Sequence, residues 1–342
     1  MMPSDDAGEL RPHGGELTAA RRLFADAPEP FIDLSTGINP HPYPLPKFAA
    51  RAFARLPETA AINALAALAA KTYGAPSTAA VVPAPGTQIL LPLVATLVSP
   101  GHAAIVAPTY SEFAPAAALA GHRVTEVGKV SAVGEAGLVI VANPNNPDGQ
   151  LFAKSDLLAL AHNLHAHGGM LVVDEAFMDV GPPDQSLIPA VPMGNIIVLR
   201  SFGKFFGLAG LRLGFALAAP ALAARLKAAL GPWAVSAPAL AIGMKALADR
   251  TWIETTRLRL QNDASRLDAV LSDAGLAIIG GTTLFRLVQS PAAAELFHHL
   301  GCAGILVRRF PDHPTWLRFG LPANGRDWRR FKIAMVAFRN SR

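Results

Sequence analysis

Residues 196–204 read Ile-Ile-Val-Leu-Arg-Ser-Phe-Gly-Lys, an apolar run that ends at a short polar turn carrying Lys204. A short apolar run rich in β-branched residues is typical of a strand buried on both faces of a parallel sheet. In such sheets, ligands bind at the carboxyl ends of the strands. The stretch therefore predicts an α/β fold with a functional lysine at a strand end.

The same pattern occurs upstream, where apolar runs alternate with segments of helical length. Further buried strands are predicted at Ala79–Val82, Ala103–Ala107, Leu138–Ala142 and Met170–Val173. The helices between them are predicted at Gln88–Val98, Ser111–Ala120 and Ser155–His165. Because strands alternate with helices, the sequence indicates a mostly parallel sheet.

The pattern changes after residue 219. Helix-rich stretches at Leu222–Leu230 and Ala239–Asp273 come first. Strand-like segments and a final helix follow at Leu276–Ile279, Leu284–Val288, Ile305–Val307, Trp316–Phe319 and Asp327–Phe338. A length of 342 residues also favours two domains. We predict a large domain of residues 41–240 and a smaller α+β domain built from residues 1–40 and 241–342.

Composition excludes several classes of protein. The single cysteine, Cys302, allows no intramolecular disulfide, and no metal site is predicted. The longest uncharged stretch, Ala228–Met244, contains Gly and Pro and is too short for a membrane span. The acidic N-terminus is unlike a secretory signal, so we expect a cytoplasmic protein. The net charge of +5 comes with no interleaving of basic and aromatic residues, which favours a small anionic substrate over nucleic acid.

Lys204 is accompanied by two side chains that suit a phosphate, Ser201 and Arg212. Desolvation and neighbouring cations lower the pKa of a lysine, as an amine that forms a Schiff base requires. The alternative is an ordinary loop lysine with a surface arginine.

Asp174 ends the predicted strand Met170–Val173, and Glu175 follows it. A carboxylate at that position is costly unless it is paired, and the protonated ring nitrogen of a cofactor is a suitable partner. A helix N-cap and a metal ligand are the alternatives.

Three further segments follow predicted strands. In residues 143–149, Asn-Pro-Asn-Asn-Pro-Asp-Gly, two prolines fix the direction of Asn146, although such residues also form simple turns. The segment Gly86-Thr87-Gln88 precedes a helix, and backbone N–H groups at a helix start suit a phosphate. Tyr110 offers a ring that stacks on a flat heterocycle or packs in the core.

Taken in order, these motifs resemble the class I/II aminotransferase family, which has the fold called fold-type I and uses pyridoxal 5'-phosphate. The matching segments are G-T-Q at 86–88, P-T-Y at 108–110, N-P-N-N-P-D-G at 143–149, D-E-A-F at 174–177, S-F-G-K at 201–204 and L-R-F-G at 317–320. The resemblance covers nearly the whole chain. It implies a large domain with a mostly parallel seven-stranded sheet between helices and a smaller α+β domain.

The resemblance also implies a role for each motif residue. Lys204 is the lysine that forms the Schiff base, Asp174 holds the pyridine nitrogen, and Tyr110 stacks on the ring; these three are the expected catalytic residues. Asn146 donates to the phenolate oxygen of the cofactor and is expected to contact substrate. The cofactor phosphate is held by Gly86, Thr87, Gln88, Ser201 and Arg212.

Two groups within this family act on phosphorylated substrates and are most similar to the sequence. They are the L-threonine-O-3-phosphate decarboxylases of cobalamin biosynthesis and the histidinol-phosphate aminotransferases. The segments His-Gly-Gly at 13–15 and Ile-Asp-Leu-Ser-Thr-Gly-Ile-Asn-Pro at 32–40 resemble the decarboxylases. This resemblance implies that substrate is contacted by His13, Gly14 and Asn39.

Three departures from the family pattern bear on the choice. Phe177 stands where aminotransferases commonly have a tyrosine, and it cannot donate a hydrogen bond to the cofactor. Leu56 replaces a tyrosine that often reaches the phosphate of a partner subunit, and Asp148 replaces a threonine. Because of Phe177 and the N-terminal pattern, decarboxylation is the preferred hypothesis, and transamination is the alternative.

The substrate is expected to be a phosphorylated amino acid held by late basic residues. Arg308 is the preferred residue for the substrate phosphate, and Arg309 is the second choice. Arg318 matches the arginine that usually grips the substrate carboxylate, although it could bind the phosphate instead. The resemblance further implies a homodimer.

Overall fold

The structure is a computed structural model that describes residues 13–341. The chain divides into two compact units. The larger unit consists of residues 38–262 with 281–284, and the smaller unit consists of residues 13–37 with 263–280 and 285–341. The boundary predicted after residue 40 therefore shifts by a few positions. The boundary predicted after residue 240 moves further, because residues 240 and 241 lie inside a helix, Ala237–Ala248, that packs within the larger unit.

The strands in the described residues are numbered in chain order. They are β1 (Ile32–Leu34), β2 (Val81–Ala84), β3 (His102–Val106), β4 (Arg123–Val127), β5 (Leu138–Ala142), β6 (Met170–Asp174), β7 (Ile196–Ser201), β8 (Gly214–Ala218), β9 (Ala277–Thr282), β10 (Phe285–Gln289), β11 (Ile305–Arg309) and β12 (Trp316–Gly320).

The α-helices are numbered in the same way. They are α1 (Leu17–Leu23), α2 (Arg51–Ala54), α3 (Thr59–Tyr73), α4 (Leu90–Ala95), α5 (Phe113–Leu119), α6 (Lys154–His165), α7 (Phe202–Phe205), α8 (Pro220–Leu230), α9 (Ala237–Ala248), α10 (Arg250–Asp273), α11 (Ala293–Cys302) and α12 (Gly325–Asn340). None of the helices in residues 13–341 combines the length and the apolarity that crossing a membrane requires.

The larger unit contains a seven-stranded sheet in the order β2-β8-β7-β6-β5-β3-β4. The pairs from β7 across to β4 are parallel, and β8 runs antiparallel to both β2 and β7. The expected mostly parallel seven-stranded sheet is thus confirmed. Because β2 and β7 both oppose β8, the carboxyl ends of β2, β3, β5, β6 and β7 all lie at one edge of the sheet.

Burial explains which strands the sequence revealed. Strands β5 and β7 are almost entirely buried, and the apolar runs that predict them reflect this burial. Strand β4, Arg-Val-Thr-Glu-Val, was not predicted because it is the edge strand, is largely exposed and carries polar residues. The predicted helix Gln88–Val98 is shorter than expected and forms only at α4, since residues 87–89 form a turn.

The predicted helix-rich stretch 239–273 is two helices that meet at Asp249. The Asp249 carboxylate accepts a hydrogen bond from Trp252 N at 3.0 Å and so begins α10 as a side-chain cap. A capping residue inside an apolar pattern ends one helix and starts the next, which hydrophobic periodicity alone does not reveal.

The smaller unit is built on a five-stranded sheet in the order β1-β11-β12-β10-β9. Strand β1 pairs parallel with β11, while β11 with β12 and β12 with β10 pair antiparallel. Helices α11 and α12 pack together, with Phe331 and Leu300 fully buried. The α+β character expected for this part of the chain is therefore observed.

Candidate active site

A cavity of about 160 Å³ lies in the larger unit at the edge where the strands of the seven-stranded sheet end. Every residue predicted to hold the cofactor lines it. These residues are Gly86, Thr87, Gln88, Tyr110, Asn146, Asp174, Ser201, Lys204 and Arg212. The structure thus brings together segments separated by more than a hundred positions, while the individual roles of these residues remain predictions.

Lys204 lies in the short helix α7, directly after β7. Its backbone carbonyl accepts a hydrogen bond from Asn39 N at 2.9 Å, and Asn39 Nδ2 donates to Phe205 O at 2.8 Å. The Lys204 Nζ lies 5.7 Å from the centre of the Phe177 ring, a distance at which the ring face attracts a cation. The turn that presents Lys204 is therefore tied to the segment around Asn39.

Asn39 has a structural function that was not predicted. Its side chain is buried, and besides its bond to Phe205 its Oδ1 accepts a hydrogen bond from His41 N at 2.9 Å. The contact with substrate that the resemblance implied stays a prediction. The sequence around Asn39 does not indicate this function, because its bonding partner, Phe205, lies 166 residues away.

Asp174 ends β6 and faces the cavity. Burial raises the pKa of its carboxyl from 3.8 to about 6; a hydrogen bond from Ala176 N and the positive charge of Lys204 oppose this rise. A cation beside the carboxyl would lower its pKa and keep it fully ionised. A protonated heterocyclic nitrogen is such a cation.

This pKa predicts how the stability of the cofactor-free protein depends on pH. Between pH 4 and 6 the folded state holds a proton on Asp174 that the unfolded state releases, so stability falls as the pH rises through this window. The loss amounts to at most about 3 kcal/mol, from a rise of roughly two pKa units. Urea unfolding between pH 4 and 7 should show this slope, and Asp174→Asn should lose it. Equal slopes for both proteins would contradict the assignment.

Glu175 lies behind Asp174, on the opposite side of β6, and is fully buried. Its carboxylate accepts hydrogen bonds from Leu187 N, from Ser186 Oγ and, at 3.2 Å, from Arg200 Nη1. Arg200 Nη2 also donates to Asp179 at 2.5 Å. This cluster joins Glu175, directly after β6, to Arg200 on β7, so it holds together the strand ends next to Asp174 and Lys204.

Replacing Arg200 with methionine should lower the free energy of unfolding by roughly 3–5 kcal/mol. The substitution leaves the carboxylates of Glu175 and Asp179 buried without their cation, and an uncompensated buried charge is strongly destabilising. Arg225→Met, at an exposed position of α8, is the matched control and should change stability by about 0.5 kcal/mol or less. Similar unfolding midpoints for the two variants in urea would show that the buried cluster contributes little.

Gly86 and Arg212 form a narrow corner of the cavity that suits a phosphate. Gly86 has a φ of +85°, and a Cβ at this position would lie 2.7 Å from Arg212 Nη2. Arg212 itself adopts the left-handed region, with φ 53°, and its Nη1 donates to Ala209 O at 3.0 Å. Backbone held in this sparsely populated conformation is common at ligand sites. The corner therefore brings an arginine against a backbone turn whose positive φ favours glycine.

Tyr110 also lines the cavity. Its hydroxyl donates to Gln88 Oε1 at 3.0 Å, and its ring meets Phe113 edge to face at 5.5 Å between centroids. The side chain is thus held in place by one polar and one apolar contact. A flat ring with a fixed orientation is what stacking on a heterocycle requires.

The remaining predicted residues belong to the smaller unit. Arg318, on β12, is buried and donates through Nη2 to Ser35 O at 3.0 Å. Gly14 lies against the same carbonyl, and Gly15 N donates to Ser35 Oγ at 2.7 Å. His13 begins this segment. The structure therefore gathers the His-Gly-Gly segment and Arg318 around Ser35.

Arg308 and Arg309 differ in their surroundings. Arg308 is the direct cross-strand neighbour of Arg318, whereas Arg309 points to the other face of β11 and stacks on the Phe297 ring at 4.1 Å. Burial and the positive charge of Arg308 lower the pKa of Arg318 to about 9. The Asp33 carboxylate opposes this fall.

A larger cavity of about 400 Å³ also lies in the larger unit, and its wall includes Tyr73, Arg200 and Arg257. None of the predicted cofactor residues lines this second cavity. The smaller cavity combines a lysine, a carboxyl of raised pKa and an arginine beside a glycine turn. We therefore assign the chemistry to the smaller cavity.

Comparison with known proteins identifies the family. Residues 30–329 match the model for aminotransferase class I and II. The chain belongs to the aminotransferase class I and II family. The chain is similar to a threonine-phosphate decarboxylase of Sinorhizobium sp, 45% identical over 95% of this chain and 97% of that protein. A second, from Pseudomonas aeruginosa, is 40% identical over 96% and 98% of the two chains.

Solved structures of this family confirm the fold. The histidinol-phosphate aminotransferase from Sinorhizobium meliloti, determined in complex with pyridoxal-5'-phosphate, superposes with a TM-score of 0.79. The match covers 95% of this chain and 94% of that one, at 22% sequence identity. The predicted fold-type I architecture, with its seven-stranded sheet and helices, is therefore confirmed.

Proposed function

We propose that the protein is a pyridoxal 5'-phosphate-dependent carboxy-lyase that converts L-threonine O-3-phosphate to (R)-1-amino-2-propanol O-2-phosphate and CO2. The observation that carries this proposal is the similarity, over nearly the whole length of both chains, to two threonine-phosphate decarboxylases. The site itself supports the cofactor, and the basic residues of the smaller unit support a substrate with two anionic groups.

The cavity fits pyridoxal 5'-phosphate in the chemistry of its walls. Arg212 and the glycine turn at Gly86 would hold the phosphate, and Tyr110 would stack on the ring. Asp174 would hold the ring nitrogen, and Lys204 would hold the aldehyde carbon through its amine. When bound, the cofactor supplies an electron sink for a bond broken at the substrate Cα.

Substrate orientation decides which bond at Cα breaks. Arg308 and Arg318 are the candidates for holding the phosphate and the carboxylate of the substrate, because they are cationic cross-strand neighbours in the smaller unit. Fixing both anionic groups of the substrate selects a single orientation of the Cα substituents. In that orientation the bond from Cα to the carboxylate would break and CO2 would leave. Lys204, released when the substrate amine takes its place, would then give a proton to Cα.

Phe177 supports decarboxylation over transamination. Its side chain is 5% exposed and its ring faces Lys204, so the cavity wall at this point is apolar and offers no hydroxyl. Phenylalanine cannot donate a hydrogen bond to the cofactor, as the tyrosine that aminotransferases commonly have at this position can. The alternative function, a histidinol-phosphate or related aminotransferase, is the reaction named for the Sinorhizobium meliloti neighbour, at 22% identity, and for further relatives of lower similarity than the two decarboxylases.

One assay separates the two reactions. The purified protein with added pyridoxal 5'-phosphate is incubated with L-threonine O-3-phosphate, with and without 2-oxoglutarate, and CO2 and glutamate are both measured. The proposal predicts CO2 release that does not depend on 2-oxoglutarate. Glutamate formation that requires 2-oxoglutarate, without CO2, would support the aminotransferase instead.

Arg308→Met should raise the KM for L-threonine O-3-phosphate by about 10- to 100-fold, since hydrogen bonds to a charged group contribute on this scale. Arg309→Met is the matched control, because Arg309 stacks on Phe297 on the other face of the strand. Steady-state kinetics of both variants provide the measurement. A larger rise in KM for Arg309→Met than for Arg308→Met would reverse the assignment.

The cellular setting follows from the proposed reaction. The product is a phosphorylated amino alcohol of the kind that cobalamin biosynthesis uses, and the proposed location of the enzyme is the cytoplasm. We also propose a homodimer, consistent with the exposed apolar side chains of Leu45, Phe53 and Leu56 on the larger unit. Neither nucleic acid nor a membrane is a proposed partner.

A further inference from the structure

Asp148 occupies the loop that follows β5 and departs from the threonine that the family pattern leads one to expect. Its Oδ1 accepts two hydrogen bonds, from Gln150 N at 3.0 Å and from Asn145 Nδ2 at 2.8 Å. Backbone bonds from Gly149 N to Asn145 O and from Asn145 N to Gln150 O close the same loop. The carboxylate therefore lies at the centre of a compact turn.

Asn145 connects this turn to a second loop. Its Nδ2 donates not only to Asp148 but also to Pro108 O at 2.8 Å, and its Oδ1 accepts from Thr109 Oγ1 at 2.8 Å. The side chain is buried, at 3% exposure, and its amide is oriented by two acceptors on one side and a donor on the other. Loss of one acceptor leaves a buried N–H group without its partner.

The two connected loops carry the residues that face the cavity. Tyr110 follows Thr109 directly, and Asn146 follows Asn145, and both line the cavity wall. The loops leave β3 and β5, which are adjacent strands, so the bridge through Asn145 joins them just beyond the sheet. The separation of Tyr110 from Asn146 is thus set by this side-chain bridge.

The loop has little freedom to move away from this arrangement. Gly149 has a φ of +71°, and a Cβ there would overlap the backbone of Gly281. The turn is therefore packed tightly on one side and tied to the neighbouring loop on the other. A charged acceptor strengthens the tie, since a hydrogen bond to an ionised group is roughly twice as strong as a neutral one.

We infer that Asp148 is a positioning residue that acts through Asn145 to hold Tyr110 and Asn146 in place at the cavity wall. Any effect of this positioning on cofactor binding rests on the proposed function. The connection between the two loops is independent of that function and can be measured in the cofactor-free protein.

Hydrogen–deuterium exchange of the cofactor-free protein tests the connection. Asp148→Ala should speed exchange in residues 108–113 by about tenfold or more, because it removes a hydrogen bond to a charged acceptor. Asp148→Asn keeps an acceptor oxygen and should stay close to the wild-type protein. Asp156→Ala, which removes a carboxylate from an exposed position of α6, is the matched control. Exchange in β7, followed in the same samples, reports whether the fold is intact.

Exchange in residues 108–113 that is no faster in Asp148→Ala than in Asp156→Ala would overturn the inference. If Asp148→Ala does not fold, Thr109→Val breaks the other end of the bridge and should speed exchange in residues 143–150; unchanged exchange there would overturn the inference equally. A second readout is the Kd for pyridoxal 5'-phosphate, which should rise about tenfold in Asp148→Ala and recover in Asp148→Asn. If the wild-type protein released no CO2, the proposed function would be wrong, but the exchange result would still test the connection between the loops.

Discussion

Replacing Lys204 with alanine should lower kcat for CO2 release from L-threonine O-3-phosphate by about 10⁴-fold or more. The substitution removes both the amine that would hold the cofactor covalently and the group that would carry the proton to Cα. General acid–base catalysis alone contributes typically 10²- to 10⁴-fold, and the covalent function adds to this. The measurement is single-turnover release of labelled CO2 at saturating cofactor.

Two controls make the Lys204 result specific. Lys129→Ala removes an exposed lysine of the same unit and should leave the rate unchanged. Circular dichroism of Lys204→Ala should match the wild-type protein, because the side chain ends in the cavity rather than in the apolar core. A rate for Lys204→Ala within about tenfold of the wild type would rule out its proposed function.

Replacing Asp174 with asparagine should lower kcat on the order of 10²- to 10³-fold. The substitution keeps the shape of the side chain but removes the negative charge that would keep the ring nitrogen protonated. Electrostatic groups of this kind contribute that much when they act on charge developing in the transition state. The kinetics should be measured above pH 7, where the wild-type carboxyl, with its pKa of about 6, is ionised even without the cofactor.

A matched variant separates charge from structure at this position. Asp184→Asn removes an exposed carboxylate of the same unit and should have no effect on kcat. Asp174→Glu restores the charge with a longer side chain and should recover part of the lost rate. An Asp174→Asn enzyme as active as Asp174→Glu would show that the charge at this position does not matter.

The sequence predicted the sheet edge well because the relevant signals are local. The buried runs of β3, β5, β6 and β7 are apolar, and polar motifs follow where each strand ends. The carboxyl ends of parallel strands meet at one edge of a sheet. The sequence alone therefore predicts that Asp174 and Lys204 lie close together. The structure adds the distances and the raised pKa of Asp174.

The supporting interactions could not be predicted in this way. Arg200 reads as part of a strand, and its burial between Glu175 and Asp179 is visible only once β6 and β7 are paired. Asn145 likewise reads as a turn residue, although its amide joins a loop 36 residues away. Such side-chain bonds depend on tertiary geometry, and no local pattern encodes them. Asp148 departs from the family pattern, but the sequence does not indicate its bond to Asn145.

The central claim is that Lys204 holds pyridoxal 5'-phosphate covalently, and one measurement on the wild-type protein tests it most directly. The protein is incubated with the cofactor, reduced with borohydride, digested and analysed by mass spectrometry. We predict a phosphopyridoxyl group on the peptide that contains residues 201–212, at Lys204, and visible absorption that disappears on reduction. Modification at a different lysine, or no stable modification and no visible absorption, would contradict the account.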